Sequence, residues 1–292
     1  MMDRRSGEGR TIEKGPRMAY KTIQLLLTVN ENPRADAVID HAIEFARREG
    51  AHLSVLANAQ RVDLPGIPVL PLANAIVAEI NDERLAKAKN LGGHVETVAR
   101  LAGVNADCAI VQLAADEAGT AFCAASRLCD LVIVAQPKGV LLAEQRLIEK
   151  VLFGSGCAVL VVPQEWDAGP SLANVVVAWD GGARAARAVT DAMPLLEQAV
   201  RVEVVCVTDD ANDVRGAELA RRLSRHGPRV SVANLPFVGA EAGRTLMQHL
   251  GSMPVSLLVM GAYAHSRLMQ VVIGGATKLM LTEARVPVLY SF

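Results

Sequence analysis

Short apolar runs alternate with longer amphipathic segments along the chain. The runs are rich in Val, Leu and Ile, as in KTIQLLLTV at 21–29 and AVLVVP at 158–163. The segments between them carry apolar residues at helical spacing. This alternation is typical of α/β folds, in which helices cover a parallel sheet.

The first half contains five strand-like runs with helices between them. They are KTIQLLLTV (21–29), HLSVLAN (52–58), CAIVQ (108–112), DLVIVAQ (130–136) and AVLVVP (158–163). We predict a helix from Asn32 and Pro33 through Glu49, because a glycine follows as a stop signal. A Pro-rich loop at 61–72 precedes a long charged helix, which we expect to be interrupted by glycine near 92–93.

The pattern starts again after the polar, Gly- and Pro-containing stretch QEWDAGPS at 164–171. The new strand-like runs are NVVVAWD (174–180), RVEVVCVTD (201–209), RVSVANL (229–235), VSLLVMGA (255–262) and VPVLYSF (286–292). Helices are predicted at about 182–199, 214–225 and 240–251, and a glycine-bearing helix precedes the last strand.

The two halves can be aligned with each other. LLLTVNENPRADAVIDHA pairs with VVVAWDGGARAARAVTDA, which places Asn30 opposite Asp180. LVIVAQ pairs with LLVMGA, which places Ala135 opposite Gly261. A repeat of this length indicates duplication of a whole domain. The predicted organisation is a disordered tail at 1–18, a first domain at 19–164, a linker at 165–171 and a second domain at 172–292.

Composition narrows the class of protein. The chain is 51% apolar but only 3% aromatic, which suits buried parallel strands under Ala-rich helices. Thirty basic residues nearly balance 31 acidic ones, so charge favours neither nucleic acid nor an anionic membrane as a partner. The five cysteines show no metal or CxxC spacing, which predicts core packing in a reducing, cytoplasmic compartment. No apolar run approaches the roughly 20 residues that cross a bilayer.

The end of the first strand of the second half carries a candidate ligand-binding carboxylate. In an open parallel sheet, ligands bind outside the carboxyl ends of the strands, where the strand order reverses. Asp180 and two glycines follow this strand, so the carboxylate could accept hydrogen bonds from a ribose hydroxyl. The same side chain could equally cap the helix that follows.

The fourth strand of the second half leads into MGAYAHSRLMQVVIGGATKLML at 260–281. Gly274 and Gly275 fall inside what should be a continuous helix, where each costs roughly 1 kcal/mol relative to Ala. One explanation is a turn whose exposed N–H groups bind an anion, with the Thr277 hydroxyl nearby. The other is a glycine pair at a close contact with another element.

These segments together resemble the universal stress protein family. The resemblance rests on VAWDGG, MGAYAHSRL, the GGAT turn and the closing VPVLY. The family signature is a glycine, two residues, a glycine, nine residues, and then a glycine followed by Ser or Thr. Here Gly261 fills the first place, Ala264 the second and Gly274 the third, with Gly275 in the Ser/Thr place and Thr277 close by.

The resemblance implies two tandem Rossmann-like domains of the adenine nucleotide alpha hydrolase type, each an open five-stranded parallel sheet flanked by helices. It also implies that the second domain alone binds ATP, with or without Mg²⁺. Asp180 would contact ribose or adenine, Val207 would present its backbone to adenine, and the glycines and Thr277 would surround the phosphates. The predicted cofactor-binding set is Asp180, Val207, Gly261, Ala264, His265, Gly274, Gly275 and Thr277, with no catalytic residue and no metal ligand.

Two positions depart from the family pattern. Ala264 carries a Cβ where the family has glycine, which costs about 1–2 kcal/mol if the backbone there is left-handed. Gly275 lacks the expected hydroxyl but keeps its N–H. Tyr263, His265 and Arg267 share the loop and could reach a base or a phosphate, although Arg267 could equally be a solvated charge.

The first domain departs further. Asn30 replaces the carboxylate, Ala135, Gln136 and Pro137 replace the glycine turn, and FGSG at 153–156 reads as a helix stop. We predict a structural partner that has lost nucleotide binding, or a pocket for another ligand. Because the last strands of this family pair domains together, we expect an internal pseudo-dimer, and we also expect two chains to associate as a homodimer.

Three functions fit the sequence. The first is a nucleotide-responsive binding protein that acts through conformation or partner contact. An ATP-pyrophosphate-cleaving or adenylylating enzyme would carry an SGGxDS loop or HIGH and KMSKS-like motifs, which this sequence lacks, so any turnover would be slow ATP hydrolysis. The third is a structural interaction module without a ligand, favoured if Ala264 and Gly275 spoil the loop.

Overall fold

The computed structural model describes residues 20–29, 36–63, 71–137, 142–210, 212–239, 241–262 and 275–292. Strands and helices alternate through these ranges, which confirms the predicted α/β class. The strands are β1 (Thr22–Val29), β2 (His52–Ala59), β3 (Ala106–Val111), β4 (Leu131–Ala135), β5 (Ala158–Val162), β6 (Asn174–Ala178), β7 (Arg201–Val207), β8 (Arg229–Leu235), β9 (Leu257–Gly261) and β10 (Val288–Ser291). The helices are α1 (Asp36–Glu49), α2 (Pro71–Leu101), α3 (Ala115–Ser126), α4 (Leu142–Gly154), α5 (Ala183–Asp191), α6 (Met193–Leu196), α7 (Arg215–Ser224), α8 (Ala242–Gly251) and α9 (Gly275–Glu283).

The strands form one sheet in the order β3-β2-β1-β4-β5-β10-β9-β6-β7-β8. The two halves have the same internal strand order, and neighbours within each half pair in parallel. The halves meet where β5 pairs antiparallel with β10. The expected pairing through the last strands is therefore confirmed, and the two predicted five-stranded sheets are joined into one.

A local two-fold axis relates the halves at the junction of β5 and β10. Leu160 pairs with Leu289 at its centre, and both side chains are buried. On the next strand of each half, Ile133 pairs with Leu160 and Val259 pairs with Leu289, so Ile133 corresponds to Val259. One strand further out, Leu25 pairs with Ile133 and Val177 pairs with Val259, so Leu25 corresponds to Val177. The sheet register therefore fixes which positions of the two halves are equivalent.

This register corrects one of the two sequence alignments. It places Ala135 opposite Gly261, as predicted, but it places Thr28 opposite Asp180. Asn30, which the sequence alignment placed there, lies outside the described residues. A shift of one residue moves each side chain of a strand to the other face of the sheet, whereas a shift of two restores the pattern. Apolar periodicity therefore cannot distinguish the two alignments.

One large hydrophobic cluster lies on each face of the sheet and runs through both halves, and a small third cluster of the first half consists of Val29, Ala59 and Ala88. Helices α1, α2, α5, α6 and α7 contribute to one face. Helices α3, α4, α8 and α9 contribute to the other. Within the described ranges, no helix has both the length and the apolar character needed to cross a membrane.

Helix α2 runs without a break from Pro71 to Leu101, so the predicted interruption near 92–93 is wrong. A Cβ on Gly92 would lie 2.9 Å from the Cys108 sulfur and 3.1 Å from Ile110 Cδ1, both on β3. The glycine allows the helix to pack directly on the sheet. This tertiary contact offsets the roughly 1 kcal/mol that glycine costs in a helix.

The helix predicted at about 182–199 is divided into α5 and the short α6. Pro194 lies in the first turn of α6 and has no backbone N–H to continue the hydrogen bonds of α5. The second helix therefore starts again at a position where proline is tolerated.

The chain between β5 and β6 is anchored on the protein. The Trp166 indole N–H donates a hydrogen bond to the Gly169 carbonyl at 2.9 Å, and the ring packs against the clusters on both faces. Arg48 of α1 donates to the Pro170 carbonyl at 3.2 Å. The predicted domain boundaries around this segment stay a prediction.

His41 is a buried histidine of α1 and should make the fold sensitive to acid. Its side chain is 3% exposed, and its Nδ1 has no hydrogen-bond partner among the described residues. Burial lowers its pKa from 6.5 to about 4. Between these values the unfolded chain binds more protons than the folded one, so the free energy of unfolding should decrease as the pH falls. At pH 5 it should be about 2 kcal/mol lower than at neutral pH.

Urea unfolding at pH 7 and pH 5 tests this expectation. His41→Leu should lose less stability between the two pH values than the wild type does. His226→Gln is the matched control, because His226 is exposed and pairs with Glu197 at 3.0 Å on the surface. An equal loss of stability in the wild type and in His41→Leu would contradict the prediction.

Candidate functional site

A cavity of about 630 Å³ opens at the carboxyl ends of β6, β7 and β9. Its volume lies within the range of roughly 300–1,000 Å³ that is typical of small-molecule sites. It is located where β6 lies between β9 and β7, the point at which the strand order of the second half reverses. The predicted site residues that line it are Asp180, Val207, Gly261, Gly275 and Thr277.

The other predicted residues of the set, Ala264, His265 and Gly274, lie outside the described residues. Tyr263 and Arg267 of the same loop also lie outside them. Their predicted roles stay predictions. The cavity wall is therefore analysed through the strand ends and the helix starts that the structure describes.

Asp180 lies in a tight turn between β6 and α5. Gly181 has a φ of +79°, in the left-handed region that favours glycine. The Asp180 Oδ1 accepts a hydrogen bond from the Gly182 N–H at 2.8 Å, and Gly182 is the N-cap residue of α5. The carboxylate therefore supports the start of the helix and lines the cavity at the same time. Its contact with a ligand stays a prediction.

Arg215 at the start of α7 holds the same turn from the other side. Its Nη1 donates to the Asp180 carbonyl at 2.7 Å, and its Nε lies 2.9 Å from both carboxylate oxygens of Asp213. The guanidinium lowers the pKa of the Asp213 carboxyl to about 2. The sequence analysis missed this contact, because no local pattern links Arg215 to a residue 35 positions earlier.

The backbone of Val207 is directed toward the cavity. Pairing between β6 and β7 ends at Ala178 and Val205, and the Trp179 N–H donates to the Val205 carbonyl at 2.8 Å. Backbone groups of a strand point alternately to its two neighbours. The Val207 N–H and C=O therefore point to the same side as those of Val205, into the space above β6. By contrast, the Thr208 N–H donates to β8.

Three helices begin at the cavity. Helix α5 contributes Ala185, α8 contributes Ala242 and Gly243, and α9 contributes Gly275 and Thr277. The first N–H groups of a helix have no acceptor within the helix, and they form the positive end of its dipole. Three such ends at the cavity favour an anionic ligand.

Two glycines bring these elements close together. A Cβ on Gly261 would lie 2.6 Å from the Ala185 nitrogen of α5, and a Cβ on Gly243 would lie 2.8 Å from Ala276 Cα of α9. A Cβ on Gly275 would meet nothing within 4 Å. Gly261 thus has a packing role between β9 and α5, in addition to its place on the cavity wall.

Side-chain charge on the described wall is acidic. The charged residues there are Asp180 and Glu241, and the described wall includes no Lys, Arg or His. Glu241 Oε2 accepts a hydrogen bond from Arg244 Nε at 2.5 Å. Among the described residues, no group of three or more His, Cys, Asp or Glu is placed to hold a metal ion. Positive potential on this wall comes from the helix N–H groups.

The equivalent strand ends of the first half make internal contacts. The register places Asn58 opposite Val207. Asn58 is buried, accepts a hydrogen bond from the Leu113 N–H at 2.9 Å and donates to the Leu113 carbonyl at 3.3 Å. Gln136, which follows β4, donates from its side chain to the Ala284 carbonyl of the other half at 2.9 Å. These two side chains therefore bind protein backbone.

Comparison with known proteins identifies the fold. The sequence matches no protein-family model, and it matches no curated protein. The structure is similar to that of a universal stress protein from Archaeoglobus fulgidus DSM 4304, with a TM-score of 0.71 at 18% identity over 92% of this chain and 97% of that one.

Two structures from Pseudomonas aeruginosa are also similar over nearly the whole chain. A candidate universal stress protein from strain UCBPP-PA14 has a TM-score of 0.57 at 16% identity, covering 94% of this chain and 93% of that one. A protein of unknown function from strain PAO1 has a TM-score of 0.56 at 16% identity, covering 92% of each chain. The resemblance predicted from the sequence is confirmed at the level of the fold. The chain therefore has the Rossmann-like fold of the universal stress proteins, repeated in tandem and joined through one sheet.

Proposed function

We propose that the second half of this protein binds ATP or a related adenine nucleotide, and that the protein acts in a stress response through conformation or partner contact. The observation that carries the proposal is the cavity of about 630 Å³ at the reversal of strand order. Three helix N-termini line it, and Asp180 and Val207 lie at the strand ends. The full-length likeness to a universal stress protein supports the stress-response part.

The nucleotide would be oriented by complementary hydrogen bonds. A carboxylate accepts hydrogen bonds from hydroxyl groups, so Asp180 would bind the ribose. The Val207 N–H would donate to adenine N1, and its carbonyl would accept from the adenine amino group. Guanine presents a donor and an acceptor in the reverse order at the corresponding atoms, so this backbone pair should prefer adenine.

The phosphates would lie at the starts of α5, α8 and α9, where N–H groups are directed at the ligand. The segment that carries Ala264, His265 and Gly274 would complete this part of the site, as the family resemblance implies. Because the described wall offers only two carboxylates, those of Asp180 and Glu241, a bound Mg²⁺ would be held chiefly by the phosphates.

Calorimetric titration of the full-length chain tests the proposal. The full chain is used because β10 pairs with β5, and a fragment of the second half would expose that strand. We expect saturable binding of ATP at one site per chain and weaker binding of GTP. Melting should shift upward by RT ln(1 + [L]/Kd). If millimolar ATP gives neither heat nor a shift in melting, nucleotide binding is wrong.

In that event the leading function becomes that of a structural interaction module without a ligand. Its supporting observations are that Asp180 bonds to Gly182 and that Gly261 packs on α5, since both residues have structural contacts without a ligand. Phosphate release measured during the titration separates turnover from simple binding. Sustained release would favour a slow ATP-hydrolysing enzyme.

A further inference from the structure

Two cysteines lie together at the amino ends of the neighbouring strands β4 and β5. Cys129 precedes β4 by two residues, and Cys157 immediately precedes β5. Leu131 pairs with Ala158 in parallel register, so the two cysteines lie in the segments that lead into adjacent strands.

The two sulfur atoms converge on the same backbone acceptor. The Cys129 and Cys157 sulfurs each lie 3.0 Å from the Ser126 carbonyl oxygen at the end of α3. The Cys157 sulfur also lies 3.0 Å from the carbonyl oxygen of Cys129. Both residues are partly exposed and both are present as thiols. The two sulfur atoms therefore lie close together, on residues that are partly exposed.

We propose that Cys129 and Cys157 form an oxidation site that a hydroperoxide converts reversibly into an intramolecular disulfide. The Cys157 thiolate attacks the peroxide, whose O–O bond breaks, to give a sulfenic acid and a hydroxide ion that takes up the released proton as water. The Cys129 sulfur then attacks the Cys157 sulfur, the S–OH bond breaks, and a second water leaves. Two thiols and one hydrogen peroxide thus give one disulfide and two waters.

The surroundings favour Cys157 as the thiol that reacts first. The interaction between the two neighbouring thiols lowers the pKa of Cys157 and raises that of Cys129. Arg187 of α5 also favours the Cys157 thiolate, while burial, Asp130 and Asp191 oppose it. By contrast, burial raises the pKa of Cys123, Cys206 and Cys108, the last to about 11. Thiolate is the reactive form, so the other three should react more slowly.

Neither cysteine lies on the described wall of the nucleotide cavity, so this proposal does not depend on nucleotide binding. The cavity is at the carboxyl ends of β6, β7 and β9, and the two cysteines precede β4 and β5. Because β5 and β10 are antiparallel, both sites lie at the same edge of the sheet, separated across it. A disulfide would tie β4 to β5, the strand through which the two halves are joined.

Peroxide oxidation of the reduced, full-length chain tests the proposal. We expect two of the five thiols to be lost, an intact mass lower by two hydrogen atoms, and a digest that contains the Cys129–Cys157 cross-link. Dithiothreitol should restore both thiols. Retention of all five thiols, a disulfide between other cysteines, or a disulfide between chains would overturn it. This measurement on the wild type needs no variant to fold.

Variants assign the two roles. Cys129→Ser should stop at a sulfenic acid on Cys157 that dimedone traps, and Cys157→Ser should form neither the sulfenic acid nor the disulfide. Cys108→Ser is the matched control, because Cys108 is also partly exposed, and it should oxidise as the wild type does. Dimedone labelling of Cys129 in the Cys157→Ser variant at the wild-type rate would overturn the assigned order.

Discussion

Asp180→Asn should weaken ATP binding by about 10- to 100-fold while leaving the stability of the ligand-free protein nearly unchanged. Asparagine keeps one oxygen that can accept the hydrogen bond from Gly182, so the turn before α5 should persist. It replaces the second carboxylate oxygen with a donor, which cannot accept from a ribose hydroxyl. Hydrogen bonds to charged groups contribute about 1.5–3 kcal/mol, and each 1.4 kcal/mol corresponds to a tenfold change in affinity.

Calorimetric titration of the variant against the wild type measures this effect. Asp167→Asn is the matched control, because it removes an exposed carboxylate of the chain between β5 and β6, away from the cavity wall. Its affinity for ATP should equal that of the wild type. If Asp180→Asn binds ATP as tightly as the wild type does, the carboxylate does not contact the nucleotide, whatever else binds in the cavity.

Gly261→Ala should destabilise the protein by about 3 kcal/mol, near the upper end of the usual cost of overpacking. Its new methyl group would lie 2.6 Å from both the Ala185 nitrogen and the Arg184 carbonyl carbon. These are backbone atoms of the first turn of α5, so no side chain can rotate away to make room. The start of α5 must move, and the part of the cavity wall that it forms must move with it.

Urea unfolding of the two variants Gly261→Ala and Gly275→Ala gives a direct contrast. Gly275 opens α9, and an added methyl group there meets nothing within 4 Å. Gly275→Ala should therefore change the free energy of unfolding by less than about 1 kcal/mol, with a slight gain because alanine favours helix. Equal stability of Gly261→Ala and the wild type would show that β9 and α5 are not packed as closely as the structure indicates.

The sequence predicted the residues of the candidate site that lie at the ends of strands. It did not predict the residues that pack a helix against another element. Asp180, Val207 and Gly261 follow apolar runs, so their places at the carboxyl ends of strands could be inferred from the pattern. Arg215 and Gly243 were missed, because their contacts with Asp180 and Ala276 join elements that are distant in the chain. Side-chain periodicity carries no information about such contacts.

The alignment of the halves shows the same limit in the sheet. Thr28, and not Asn30, is equivalent to Asp180, because a shift of two residues leaves the pattern of buried and exposed positions unchanged. Only the hydrogen-bonded register, counted outward from Leu160 and Leu289, distinguishes the two possibilities.

By itself, the sequence determined the α/β class, the duplication and the edge of the sheet at which the candidate site lies. These follow from the alternation of apolar runs and helices, which local burial imposes on each segment separately. The tertiary structure alone decided the strand register, the close approach of α5 to Gly261 and the meeting of Cys129 with Cys157. Each of these depends on distances between segments far apart in the chain, and such distances are set only when the whole core packs.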